Sequence, residues 1–356
     1  MAFYIAITII TIVLSIFVRR QENNIENSSI VVVRNRVLII SIFTILFLVS
    51  ALRYEVGFDY CGYIGIFQRI YEYRRVSTEI GFNLIVRFFQ WFLGPDTFIP
   101  IFAAMAWITI YYMIKSLYQE MKIFWLGFTI FMMSAFYFNS LTTIRYYVAF
   151  AMAMYASKFI LEKKHLKFII YILLAATIHM SVLVVIPVYY FASLRWKKSI
   201  YLLVSIGVIS LLLFEDFYRR IIFFIYPYYE NSIYDTNTTS LFNIIKAGAI
   251  VVFALVFYKK WWDDRKTRFY FQLNIVAFIV YSCCSFIPVV SRIAYYFVWA
   301  QVFLVVDIIS KLENKKLRYA IISVVLAAYI IVFILFIKDV ASPEIRLAPY
   351  KTWIGL

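Results

Sequence analysis

The first residues able to do chemistry follow an apolar run, in the stretch ALRYEVGFDYCGYIGIF (51–67). This stretch holds Arg53, Glu55, Gly57 and Asp59. An ionised carboxylate can take a proton from a sugar hydroxyl as the hydroxyl attacks, and a nearby arginine keeps that carboxylate ionised. Gly57 permits a tight bend before Asp59. We therefore predict Asp59 and Glu55 as acid–base candidates. The alternative is that both carboxylates pair with arginines in an ordinary loop.

Two further arginines interrupt apolar segments. Arg145 lies in NSLTTIRYYVAFAMAMYA (139–156) and Arg292 in PVVSRIAYYFVWA (288–300), each near the start of a predicted helix. A guanidinium near hydrocarbon costs roughly 2.5 to 3.5 kcal/mol, so such residues usually face a protein interior or a wet cavity. The guanidinium fork matches phosphate or carboxylate, and a helix N-terminus favours anions. Both arginines are thus predicted to bind an anion, against the alternative of snorkelling to the interface.

A histidine in an apolar run is the third candidate. His179 stands in ATIHMSVLVVIP (176–187), and histidine exchanges protons near neutral pH. A catalytic role and a hydrogen-bonded structural role both remain open for it. Glu79 is a further acid–base candidate. Tyrosines near these polar residues, Tyr63 among them, are able to stack on sugar rings, although tyrosine also populates membrane interfaces without any ligand.

These residues must be positioned by membrane helices. Hydrophobic residues make up 64% of the 356-residue chain and charged residues 15%, whereas a soluble domain is about half apolar and a quarter charged. The long apolar runs do not alternate, so they predict an all-α, polytopic integral membrane helical bundle rather than a barrel. The 11–12 spans that we predict begin with a retained first helix. They lie near 2–18, 37–52, 98–115, 123–139, 143–161, 168–194, 199–214, 241–258, 269–288, 291–310 and 319–338, with 80–94 as the uncertain twelfth.

Two of the apolar segments do not fit a simple span. Residues 80–94 are short and carry Arg87 and Gln90, so they form a span, a half-helix or an interfacial helix. Residues 168–194 are too long for one comfortable crossing and contain His179. We predict a bent or re-entrant segment there.

Basic loops predict the orientation, because lysine and arginine collect on the cytoplasmic side. With the basic loops inside, nearly all of the net charge of +16 is a topology signal, and no nucleic-acid partner is expected. The loops 53–79 and 215–240 and the C-terminal tail 339–356 then lie outside, around one membrane-embedded domain (1–356). The outer cations are mostly arginine and the inner ones mostly lysine, which predicts an outer anionic ligand. The basic loops are 19–36, 162–167, 195–198, 259–268 and 311–318.

No cofactor or metal site is predicted. Cys61, Cys283 and Cys284 have no metal-ligand spacing and are read as small apolar residues. The chain has no glycine-rich phosphate loop, which argues against a nucleotide-fuelled pump.

Several stretches, taken in order, resemble the EpsG-type family of Wzy-like polysaccharide polymerases of bacterial envelopes. Each motif alone is weak, but the ordered set covers nearly the whole chain. The stretches are RYEVGFDYCGYIGIF (53–67), TEIGFNLIVRFF (78–89), TTIRYYVAFAMAMYASKFIL (142–161), ATIHMSVLVVIP (176–187), SRIAYYF (291–297) and LAPYK (347–351).

The resemblance implies extracytoplasmic glycosyl transfer at the bacterial plasma (inner) membrane. A glycan on undecaprenyl diphosphate would pass to another lipid-linked repeat unit, with a chain-length-regulating membrane protein as a further partner. Arg145 and Arg292, with Arg53, would stabilise the leaving diphosphate. His179 or Asp59 would accept the proton, with His179 favoured for its embedded position. Loop 215–240 and a weaker set of residues would contact the glycan. The weaker set is Glu55, Tyr63, Glu79, Tyr350 and Lys351.

Other functions remain as alternatives. An O-antigen ligase or another lipid-linked glycosyltransferase can also rely on an embedded histidine. A flippase of lipid-linked oligosaccharides usually has internal repeats, and none is evident here. A membrane O-acyltransferase takes its donor from the cytoplasm, so its arginines should face inward. A structural scaffold leaves the outer arginine bias unexplained.

Overall fold

The computed structural model describes residues 1–354, except 20–28, 226, 228, 229, 233, 234, 236, 237 and 289. Parts of the predicted basic loop 19–36, of loop 215–240 and of the tail 339–356 therefore lie outside the described residues. The helices are α1 (Ala2–Ile16), α2 (Ser29–Ala51), α3 (Tyr60–Tyr71), α4 (Ile80–Leu93), α5 (Ile99–Glu120), α6 (Phe124–Met133), α7 (Phe136–Asn139), α8 (Ile144–Leu161), α9 (His165–Ala176), α10 (Val185–Ser193), α11 (Lys198–Leu213), α12 (Glu215–Ile225), α13 (Leu241–Val256), α14 (Arg265–Cys283), α15 (Val290–Val298), α16 (Ala300–Ser310) and α17 (Lys315–Asp339).

The all-helical prediction is confirmed, because the described residues form helices and no strand. Within the described residues, four helices are long and apolar enough to cross a membrane, which indicates a multi-pass membrane protein. A fifth span arises if α11 and α12, bent by 84°, count as one. Six apolar helices of 10–17 residues accompany them. The total of 11–12 spans stays a prediction. The four long helices are Ile30–Ala51, Ile99–Glu120, Val290–Ser310 and Lys315–Asp339, of which Val290–Ser310 is α15 and α16 taken together.

Both unusual segments are short or broken helices. Residues 80–94 form α4, which at 14 residues is shorter than a single span requires. The predicted interruption of 168–194 is present, because α9 ends at Ala176 and a 3-10 helix, Met180–Val184, precedes α10. The apolar run 123–139 is broken as well, at Ala135, whose left-handed backbone (φ 59°) separates α6 from α7.

Contacts divide the chain into two compact units, and the prediction of one embedded domain stays a prediction. The first unit holds Met1–Phe159, His165–Leu183 and Leu312–Leu356. In it α2 packs on α5 and α1, and α6 packs on α1 and α17. The segment from Val148 to Ala156 in α8 is buried throughout, and its alanines allow close packing. This buried helix fixes the position of Arg145 at its start.

The second unit holds Ile160–Lys164 and Val184–Lys311. Its central helix is α14, which packs against α10, α13, α15 and α16. Inside it the amide of Gln301 donates to Asn274 Oδ1 at 2.9 Å. Near one end, Lys311 Nζ contacts Asp307 at 2.7 Å and Asp264 at 2.5 Å. The predicted loop 215–240 begins with a helix, α12, rather than with irregular chain.

Candidate active site

Three side chains predicted separately from the sequence meet in the first unit. Arg145 Nη1 donates to Glu79 Oε2, and His179 Nδ1 lies 3.3 Å from Glu79 Oε1. The same oxygen, Oε1, accepts a hydrogen bond from the backbone N–H of Met180 at 3.0 Å. Glu79 therefore holds an arginine and a histidine on one carboxylate.

Backbone contacts between two helix ends build this cluster. The carbonyl oxygen of Thr177, just past the end of α9, accepts from the N–H groups of Gly81 (2.8 Å) and Phe82 (3.2 Å) in the first turn of α4. In return, Glu79 caps the N–H of Met180, where the 3-10 helix begins. These donors are groups that a helix start leaves without partners. The break in segment 168–194 is thus the feature that places His179 beside Glu79.

The absence of a side chain at position 81 permits this close approach. A Cβ there would lie 2.2 Å from Thr177 Oγ1 and 2.7 Å from Thr177 Cβ. Neither distance is tolerable between non-bonded atoms. The glycine is therefore required for packing, although its position inside a helix costs conformational entropy.

The cluster is largely shielded from solvent. The side chains of Glu79, Arg145 and His179 are 17%, 19% and 20% exposed. Burial alone would raise the pKa of Glu79. The interactions with His179, the Met180 amide and the Arg145 charge outweigh that effect and lower the pKa to about 2. Glu79 is accordingly an ionised carboxylate that orients its neighbours and is a poor proton acceptor.

Aromatic rings form the walls around the charged groups. The Arg145 guanidinium lies over the ring of Phe82, 5.4 Å from its centroid, and Tyr146 meets the His179 ring edge-on at 5.7 Å. Nε of Arg145 is buried and has no hydrogen-bond partner among the described residues. A buried donor without a partner is costly, so it is a group that a bound anion would satisfy.

Tyr63 approaches the same cluster from α3, with its ring centroid 6.1 Å from that of Phe82, the ring beside Arg145. Asp59 is the half-buried residue before the first turn of α3, and Tyr63 is buried one turn further on. Burial raises the pKa of Tyr63, while the Arg145 charge lowers it and the Asp59 charge raises it. Tyr63 therefore lies within electrostatic reach of both Arg145 and Asp59.

The position of the start of α3 depends on Gly57. Its backbone has φ +101°, and a Cβ would lie 2.2 Å from the carbonyl oxygen of Leu141. The bend predicted before Asp59 is therefore present. It brings the start of α3 against the loop that leads into α8.

Arg53 is placed differently from Arg145. It is 2% exposed, donates from Nη1 to the carbonyl of Ser50 at 2.7 Å and lies 4.9 Å from the ring centroid of Phe102. The adjoining cavity has room for about one water molecule. Burial lowers the pKa of Arg53 to about 10, so it stays charged near neutral pH. In this arrangement Arg53 supports the protein interior, and its contact with a diphosphate stays a prediction.

The C-terminal tail pairs with the loop that follows α2. Arg53 and Thr352 form an antiparallel bridge, and the N–H of Tyr54 donates to the Lys351 carbonyl at 2.9 Å. Lys351 Nζ lies 2.8 Å from Glu55 Oε2 in an exposed ion pair. Two residues predicted as weak glycan contacts, Glu55 and Lys351, are therefore partners of each other.

Tyr350 also belongs to this tail contact. Its ring stacks on Phe3 with centroids 4.0 Å apart, and its hydroxyl donates to the carbonyl of Val49 at 2.9 Å. Tyr4 donates to the Leu347 carbonyl nearby. The tail is thereby fastened to both α1 and α2, and a glycan contact of Tyr350 stays a prediction.

Arg292 lies in the second unit, as the third residue of α15, and its side chain is half-buried. Its predicted part in binding the diphosphate stays a prediction. Residue 289, in the segment before this helix, is outside the described residues.

Sequence reasoning underestimated one residue of the site and missed two. It ranked Glu79 as a weaker candidate, because nothing in the pattern tells that Arg145 and His179 converge on it. It did not single out Gly81 or Thr177. The available signal was a glycine two residues after an acidic residue at a helix start, in TEIGF (78–82).

An arginine and a histidine thus share one shielded carboxylate within a helical multi-pass membrane protein. The chain belongs to the EpsG family, whose sequence profile matches residues 36–352. EpsG-type polymerases are Wzy-like, so the predicted resemblance is confirmed. Membership indicates a polysaccharide polymerase role in exopolysaccharide or O-antigen synthesis. No curated protein and no solved structure matches the chain significantly.

Proposed function

We propose that the protein polymerises undecaprenyl-diphosphate-linked oligosaccharide repeat units into a surface polysaccharide. The observation that carries the proposal is the shared contact of Arg145 and His179 with Glu79. This contact places Arg145, a cation able to bind a diphosphate, and His179, a base able to accept a hydroxyl proton, on the same carboxylate. The family role supports the substrate class.

The reaction is a glycosyl transfer without a nucleotide. A hydroxyl oxygen at the non-reducing end of the acceptor unit bonds to the anomeric carbon of the donor glycan. The bond from that carbon to the diphosphate oxygen breaks, and undecaprenyl diphosphate leaves with the electron pair. The proton of the hydroxyl passes to a base of the protein.

Each residue of the cluster has a separate task in this step. Arg145 faces the leaving diphosphate with the donors that Glu79 does not use, and it stabilises the charge that grows there. His179 accepts the proton at Nε2, because its Nδ1 faces Glu79. The Glu79 carboxylate stabilises the imidazolium that results. Tyr63 contributes to the wall of the site beside Phe82, and Asp59 stands one turn before it at the start of α3.

The remaining assignments follow from the charge pattern of the sequence. The site opens on the extracytoplasmic side of the bacterial plasma membrane, opposite the basic loops. From its sequence position alone, Arg292 is a candidate diphosphate ligand, and a chain-length-regulating membrane protein acts with the polymerase.

A deletion strain complemented with variants tests the proposal. Loss of the protein should remove the ladder of long surface chains and leave single repeat units, since flipping and ligation remain intact. Complementation with Arg145→Ala or His179→Ala should restore membrane insertion without the ladder. A ladder that persists in both variants would contradict the proposal. Loss of the single units as well would instead indicate a flippase or a ligase.

A further inference from the structure

A polar cavity lies beside the segment that leads to Glu79 of the candidate active site. It occupies about 450 Å³ in the first unit and opens between the end of α3 and the start of α4. Thr78 in its wall directly precedes Glu79. The residues that line it are Ile66, Arg69, Arg75, Val76, Ser77 and Thr78.

The walls of this cavity are held in place by specific contacts. At the end of α3 the backbone of Tyr73 is left-handed (φ 55°), and the N–H of Arg74 donates to the Arg69 carbonyl at 2.9 Å. Arg87 of α4 lies over the Tyr73 ring, 4.9 Å from its centroid. On the other side, Asn83 Nδ2 donates to the Thr78 carbonyl at 3.0 Å. The cavity is therefore a built feature of two helix ends.

The lining carries positive charge on two exposed arginines. Arg74 pairs with Glu72 at 2.7 Å, and Arg145 pairs with Glu79. By contrast, Arg69 and Arg75 form no ion pair within the part of the chain that the structure describes, and the lining contains no carboxylate. A ligand in this cavity therefore meets two guanidiniums, which only donate hydrogen bonds, and the neutral Ser77 hydroxyl.

A polar cavity in the second unit shows the opposite composition. Its lining includes Asp216, Glu230 and Asp235 beside Arg219 and Arg220, and Arg219 is already bound to Asp235 through two contacts of 2.8 and 2.9 Å. Carboxylates outnumber arginines there. An anion is consequently favoured by the cavity of the first unit and disfavoured by this one.

We propose that Arg69 and Arg75 form a subsite for an anionic group, a carboxylate or a phosphate, of the lipid-linked oligosaccharide. The inference rests on the proposed function, because it takes its ligand from that reaction. Guanidinium forks bind both anions by two-point contacts. The source is either an acidic sugar of the glycan or the diphosphate of a lipid-linked unit. Either one would be held next to the Glu79 cluster.

Binding by the purified full chain in nanodiscs tests the subsite. The probes are trigalacturonate for a sugar carboxylate, farnesyl diphosphate for the lipid headgroup, and maltotriose as the neutral control. The double variant Arg69→Gln/Arg75→Gln should bind at least one anion about tenfold more weakly, since two charged donors are lost. Arg74→Gln, which removes a neighbouring arginine that is already paired, should stay within about twofold of the wild type.

The probe whose affinity falls in the double variant identifies the source of the anion. Affinities within about twofold of the wild type for both anions would overturn the proposal. So would a wild-type protein that binds neither anion more tightly than maltotriose. If the glutamine variant fails to insert, Arg69→Lys/Arg75→Lys decides, because it keeps the charge and loses the forks. This lysine variant should bind at least one of the two anions more weakly than the wild type does. Equal binding of both anions overturns the subsite.

Failure of the subsite is distinguishable from failure of the proposed function. The latter is judged by the polysaccharide ladder of the Arg145→Ala strain, which does not depend on Arg69 or Arg75. A lost ladder in that strain with unchanged anion binding in the double variant would reject only the subsite.

Discussion

Nδ1 of His179 lies 3.3 Å from Oε1 of Glu79, although the two residues belong to distant segments of the sequence. The histidine stands in a turn between helices, and the glutamate precedes the first turn of α4. The turn is held to α4 through the Thr177 carbonyl. The orientation of the imidazole is therefore set by backbone contacts as well as by the carboxylate.

Replacement of Glu79 by glutamine should impair polymerisation while leaving the chain inserted. The amide still accepts from Met180, but it no longer pairs with the Arg145 charge or stabilises an imidazolium. We expect an activity about a hundredfold lower, the cost of misplaced catalytic groups. Turnover of lipid-linked repeat units in vitro measures it. Wild-type turnover by this variant would show that the carboxylate is not needed.

The same substitution predicts a pH dependence of stability. Folding lowers the pKa of Glu79 from 4.5 to about 2, so the carboxylate contributes stability above pH 4.5 and loses it as the pH falls toward 2. The unfolding temperature of Glu79→Gln in nanodiscs should lie below that of the wild type at near-neutral pH. The gap should narrow at about pH 3. A gap that stays constant over this range would contradict the assigned ionisation.

Substitution of His179 by glutamine should abolish chain extension. Loss of a general base costs about 10²- to 10⁴-fold in rate. The matched control is His165→Gln, because His165 is the exposed first residue of α9, at the opposite end from His179. Surface polysaccharide gels of both strains give the comparison. Equal ladders in the two strains would remove His179 from the chemistry.

Addition of one methyl group at Gly81 should disturb the site without touching a charged residue. The Cβ of Gly81→Ala would overlap Thr177, which costs about 1–3 kcal/mol and displaces the turn that carries His179. Gly62→Ala is the control, because nothing lies within 4 Å of its Cβ. Thermal unfolding and turnover of both variants test this. A Gly81→Ala protein as stable and active as Gly62→Ala would disprove the close contact.

A buried and an exposed side chain of the loop after α2 should contribute differently to stability. Arg53→Met removes a buried hydrogen bond and a cation–π contact, and we expect a loss of about 2–4 kcal/mol in the free energy of unfolding. Glu55→Gln breaks an exposed ion pair and should cost less than about 1 kcal/mol. Denaturation of the two variants ranks them. The reverse order would mean that the exposed Glu55–Lys351 pair contributes more to stability than the buried Arg53 side chain.

Much of the site was predictable because polar residues are conspicuous in an apolar chain. Arg145 and His179 each interrupt a hydrophobic run, and Asp59 follows one. Their convergence was not predictable, since it depends on which carbonyl the start of α4 meets. Arg53 abuts an apolar run in the same way as Arg145. In the fold, the Ser50 carbonyl, the Phe102 ring and the tail surround Arg53, and no sequence pattern predicts these contacts.

The helical class was predictable from hydropathy, but the breaks between helices were not. A window of about 20 residues merges α6 and α7 into one apparent span, because both halves are apolar. The break at Ala135 is a backbone feature of a residue that normally favours helices. The interruption before His179 was predictable only because that segment is too long for a single crossing.

The bridge between Arg53 and Thr352 has a consequence for the order of assembly. A ribosome makes the loop after α2 early and its partner in the tail almost last. A nascent chain therefore contains Glu79, Arg145 and His179 well before Thr352 is available to pair with Arg53. The bridge can therefore form only at the end of translation, and a chain truncated before residue 352 cannot form it.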